Sequence, residues 1–152
     1  MIVFNISLKS SQVLLASVVL AAASQVFAAD QAQMRKADGL IVYYGVMPAE
    51  MIAGHEMEHG GANPGKGSHH LVISVFDAAS GKRVEDAQVS ASVSAPGLAP
   101  ETKRLDAMKI ADTVTYGQFF RMTGKEPYRI AVEIRRPGTP KPAKVSFEYR
   151  HP

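Results

Sequence analysis

The segment Tyr128–Arg135 sets Tyr128, Ile130, Val132 and Ile134 against Arg129, Ala131, Glu133 and Arg135. Ala87–Ser94 repeats the pattern, with Ala87, Val89, Ala91 and Val93 against Gln88, Ser90, Ser92 and Ser94. A period of two is that of a strand with one face on a core and one in water. Helical periodicity is almost absent, so the chain is expected to fold from sheets.

The other segments fit that expectation. Gly39–Val46 (GLIVYYGV) is β-branched and aromatic with apolar residues on both faces, which predicts a well-buried strand. Leu71–Asp77 reads as a strand, Ala78–Arg83 as a turn, and Val84–Ser94 as the returning strand. Two prolines break Ala95–Thr102, and Lys103–Ala111 is open between a strand and a short helix. Thr113–Met122 reads as a strand, Gly124–Pro127 as a turn, and Pro137–Pro142 as a loop. Val145, Phe147 and Tyr149 form a last alternating strand. The result is an all-β, immunoglobulin-like antiparallel β-sandwich of six to seven strands. Such a scaffold exposes loops at its two ends, where a ligand site can be held.

Residues 1–28 read as a cleaved signal peptide. Lys9 supplies a short positive region, Val13–Ala23 is apolar, and Val26-Phe27-Ala28 ends in small residues. Export to the periplasm follows, with no membrane insertion after cleavage near Ala28, because no second apolar stretch exists. Residues 29–38 are a polar, flexible lead, and 39–152 form one domain with a His/Met-rich loop at 47–70. The chain contains no cysteine, which removes disulfides, thiolate metal sites and thiol nucleophiles. The net charge of +3 is spread without basic runs and gives no sign of nucleic-acid binding.

Four of the five histidines lie in His55–His70 (HEMEHGGANPGKGSHH). His55-Glu56-Met57-Glu58-His59 satisfies H-E-x-x-H, which on a helix makes a zinc hydrolase centre. The flanking Gly54, Gly60 and Gly61 oppose that helix, and the extended motif fails at Ala62 and Gly65. The zinc hydrolase is therefore a remote alternative, and the protein is read as not an enzyme.

The methionines favour a carrier instead. If the segment is helical, Met47, Met51, His55 and His59 make one stripe; if it is extended, His55, Met57 and His59 share a side. His69 and His70 open the next strand and point to opposite faces, so one of them is expected to join the loop. Met108 and Met122 fall in strand-like segments where core burial is the commoner fate, and His151 ends the last strand. Imidazole suits copper and zinc, while thioether selects cuprous copper. Copper comes first and zinc second.

His69–Val93 (HHLVISVFDAASGKRVEDAQVSASV) and Val114–Ile134 (VTYGQFFRMTGKEPYRIAVEI) resemble YtkA-like and FixH-like small exported β-sandwich proteins. They are distantly similar to CopC-type and other periplasmic copper- or iron-handling proteins. In those families the first block is a strand–turn–strand hairpin after a histidine. The resemblance implies an immunoglobulin-like fold, export and a transition metal bound by His and Met, with His69 or His70, Met122 and, more weakly, Met108 at the matching positions. The expected function is a periplasmic copper carrier or sequestering protein, handing its ion to a membrane transporter or another periplasmic protein. The alternative is a non-enzymatic interaction module docking on such a transporter.

Overall fold

The structure, a computed structural model, describes residues 33–52, 65–110 and 112–152. Residues 1–28, read as a signal, and the H-E-x-x-H segment lie outside them. Eight strands form: β1 (Met34–Ala37), β2 (Leu40–Pro48), β3 (Ser68–Asp77), β4 (Gln88–Ser94), β5 (Glu101–Ile110), β6 (Thr113–Arg121), β7 (Tyr128–Arg135) and β8 (Ala143–Tyr149). Every pairing is antiparallel, in the order β1-β2-β3-β6-β5-β4-β7-β8. Apart from a 3-10 turn at Ala49–Ile52, no helix is found among the described residues, and none there is long and apolar enough to cross a membrane.

The alternating segments behave as their period requires. Val89, Ala91 and Val93 of β4 pack against Ile130, Val132 and Ile134 of β7, all almost completely buried. β5 carries the chain between the two layers. Its first half pairs with β4 (Val89↔Leu105 to Val93↔Glu101) and its second half with β6 (Asp106↔Gly117 to Ile110↔Thr113). On the opposite side β1 and β2 approach β8 through side chains. Arg35 Nε donates to the Ser146 carbonyl at 3.2 Å, Tyr44 Oη donates to the Glu148 carbonyl at 2.9 Å, and the Tyr44 ring packs on Phe147. The sandwich is nearly closed.

Four details depart from the sequence reading. Met34–Ala37, within the polar lead, is a strand, because Asp38 and Gly39 take positive φ (49° and 75°) and close a two-residue hairpin onto β2. β2 is not buried on both faces, since Tyr43 and Met47 project outward and are 40% and 43% exposed. Lys103–Ile110 belongs wholly to a strand. The expected hairpin from Leu71 to Ser94 does not pair: β3 lies between β2 and β6, and β4 between β5 and β7. A single bridge, Phe76↔Arg83, remains of it.

The connection between β3 and β4 is held by Tyr116 instead. Its buried hydroxyl donates to the Val84 carbonyl and accepts the Ala87 N–H, both at 3.0 Å. Burial pushes its pKa up, so it stays a phenol. Tyr116→Phe leaves both backbone groups short of a partner and is expected to cost about 1–3 kcal/mol. A lowered denaturant midpoint with an unchanged far-UV circular dichroism spectrum checks this.

Candidate metal centre

β3 begins Ser68-His69-His70, and its pleat sends the two imidazoles to opposite faces. His69 joins the inward series with Leu71, Ile73 and Val75, while His70 is on the outer face. The register gives His70 two direct neighbours there, Met47 of β2 and Phe119 of β6. Opposed Cβ atoms in such pairs are about 5 Å apart. The His70 ring lies 4.8 Å from that of Phe119, tilted by 34°.

The next position of β6 on that face is Gly117, which has no side chain to fill it. His70 and Met108 close over it. A Cβ built on Gly117 would lie 2.8 Å from His70 Nε2 and 3.2 Å from His70 Cε1, and would collide with Met108 Cε. Met108 reaches this place from β5, where it is directly opposite Thr115. The Thr115 hydroxyl is buried beside it with no hydrogen-bond partner among the described residues. His70 and Met108 are only 5% and 4% exposed, and Met108 is not part of the hydrophobic core cluster. One imidazole and one thioether thus meet on the outer sheet face, with the half-exposed thioether of Met47 across the strand from the imidazole.

His69 sits in different company. Its Nδ1–H donates to the Gly67 carbonyl at 3.3 Å, and its ring lies 4.7 Å from that of His151. Tyr149 flanks both rings, with its hydroxyl 3.4 Å from His151 Nδ1, and Tyr128 meets His151 edge-on. Burial lowers the His69 pKa; the nearby His151 adds to this, and the Gly67 carbonyl and Glu50 oppose it. Gly67 sets the approach to β3. Its φ of 74° and the Thr123 methyl against its Cα exclude a side chain, and its carbonyl also accepts the Met122 N–H at 3.0 Å.

The expected ligands therefore divide. His70 and Met108 come together with Met47 close by, and His69 pairs with His151 on the other face. Met122 is 1% exposed in the hydrophobic core, and Met51 is 79% exposed on the 3-10 turn. Met47 lies within β2, so it cannot start a helical stripe with Met51. His55, Met57 and His59 lie outside the described residues. Among the described residues no three His, Asp or Glu side chains are placed to share an ion, so thioethers must take part in any closer set there.

Sequence reasoning passed over Gly117, Thr115 and Phe119, and it favoured burial for Met108 while keeping it as a weaker ligand match. The one available signal was Gly117 itself, because glycine inside a strand marks a close approach.

No family model and no curated protein sequence matches the chain. Solved structures do match in fold. A DUF4426 family protein from Pseudomonas aeruginosa is 17% identical with a TM-score of 0.62, the match covering 78% of this chain and 93% of that one. A copper-bound variant of FetP from uropathogenic Escherichia coli is 16% identical with a TM-score of 0.61, covering 78% and 93%. Copper-reconstituted P19 from Campylobacter jejuni is 15% identical with a TM-score of 0.62, covering 78% and 92%. At these identities the likeness establishes the fold: this chain has the β-sandwich of proteins that include copper-bound FetP and P19.

Proposed function

We propose that this chain is an exported periplasmic copper-binding protein, a carrier or sequestering protein with no turnover of its own. The observation that carries the reading is the convergence of His70 Nε2 and the methyl end of the Met108 thioether side chain over Gly117. Met47, directly opposite His70, supplies a second thioether on the open side. Two sulfurs and a nitrogen favour cuprous copper over zinc. FetP and P19, which share the fold, have been obtained with copper bound, and FetP has been produced in the periplasm. The apolar segment at Val13–Ala23 supports export.

His55, Met57 and His59 belong to the proposed donor set on the chemistry of their side chains, and a transporter or other periplasmic acceptor is the proposed recipient. The relationship to YtkA-like and FixH-like proteins stays with this proposal. Met122 is left out because the core encloses it.

Anaerobic titration with cuprous ion against a chromophoric chelator tests the reading. His70→Ala and Met108→Leu are each expected to weaken binding about a hundredfold, or roughly 2.8 kcal/mol. Met108→Leu nearly conserves volume, so the fold should survive it. Unchanged affinity in both variants overturns the site.

Gly117→Ala makes a separate prediction. The added methyl drives His70 and Met108 apart, so cuprous affinity should fall while stability drops by about 1–3 kcal/mol. Thermal unfolding and the same titration, run on one preparation, check both.

A further inference from the structure

His69 and His151 meet on the face of β3 away from His70, and nothing in the proposed cuprous site uses them. We propose that this pair is a second, separate site, for a divalent cation of the imidazole-binding class such as Zn²⁺ or Cu²⁺. It would differ from the outer site in hardness, because nitrogen replaces sulfur.

Both rings can present Nε2. The Gly67 carbonyl accepts from His69 Nδ1–H, which fixes the tautomer that leaves a lone pair on Nε2. A ring N–H held by a backbone carbonyl in this way is the usual support of a metal-ligating histidine. His151 Nδ1 lies against the Tyr149 hydroxyl, and its Nε2 is buried with no hydrogen-bond partner among the described residues. A buried polar atom left in that state is costly unless something occupies it.

The spacing also suits an ion. A metal–nitrogen bond of about 2.1 Å puts each ring centroid about 3.2 Å from the cation. Rings 4.7 Å apart then subtend about 95° at the metal, which is a pair of adjacent positions in tetragonal or distorted tetrahedral geometry.

Remaining positions can be filled from solvent, and the Glu50 carboxylate on the exposed 3-10 turn acts on His69 only electrostatically. His151 lies two residues beyond the end of β8 and is outside every ladder, so its ring can adjust by tenths of an ångström without breaking strand pairing.

The test uses the mature chain with Zn²⁺ by calorimetry and Cu²⁺ by electron paramagnetic resonance. His151→Gln lies beyond the last strand and should leave folding unchanged while removing one equivalent of Zn²⁺. It should also remove the two-nitrogen hyperfine pattern of Cu²⁺, with cuprous affinity unchanged. His69→Gln should do the same where it folds. The His70→Ala, Met108→Leu double variant should lose cuprous binding and keep the Zn²⁺ equivalent, so the two sites fail independently. Unchanged Zn²⁺ stoichiometry and affinity in His151→Gln overturns the second site. Loss of that equivalent in the double variant, with retention in His151→Gln, overturns it as well.

Discussion

Successive side chains of a pleated strand cannot share a face, and the chemistry of this molecule follows from where that rule falls on β3. The strand is hydrogen-bonded on both edges, to β2 through nine residue pairs and to β6 through six, so its register has no freedom to slip. A shift by one residue would exchange the two imidazoles and turn Leu71, Ile73 and Val75 out of the core. The apolar face therefore enforces the positions of His69 and His70. One is committed to the outer face with Met47, Phe119 and Met108, and the other to the end of the sandwich with Tyr149 and His151.

The outer cluster shows how a half-exposed sheet face can hold a soft donor. Met108 is as buried as a core residue, yet it lies on the side of β5 away from the core. Its space comes from Gly117, a residue that weakens a strand by roughly 0.5–1 kcal/mol relative to alanine. A well-packed strand would place a β-branched residue there. The cavity left by the missing side chain is filled by an imidazole edge and a methionine methyl, and this juxtaposition needs no loop to maintain it.

Much of the scaffold was legible in the chain. The period-two segments Ala87–Ser94 and Tyr128–Arg135 become β4, which begins one residue later at Gln88, and β7, and the proline-rich stretches fall between strands. The hidden parts have specific causes. Leu105 and Met108, three apart, imitate a helical repeat because β5 buries opposite faces in its two halves: Leu105 in the core and Met108 over Gly117. Asp38-Gly39 is a strong hairpin signal, but the strand that precedes it is only four residues long and polar. The partners of β3 and β4 are non-local, and local patterning carries no record of which strand lies beside which. At the candidate site, the alternation of His69 and His70 could be read directly. That Met108 would cross to His70 could not, since it depends on a register between β5 and β6 and on an atom that Gly117 lacks.

β5 is shared by both layers, so the covalent chain itself seals one side of the sandwich. The other side, between β1–β2 and β8, is sealed by the Arg35 and Tyr44 side-chain bonds and by ring packing on Phe147. Breathing motions that part the layers thus have an asymmetric hinge: they swing about β5 and open where side chains alone form the clasp. Met47, His70, Gly117 and Met108 ride on the uninterrupted β2-β3-β6-β5 ladder, on the leaf that moves as one piece.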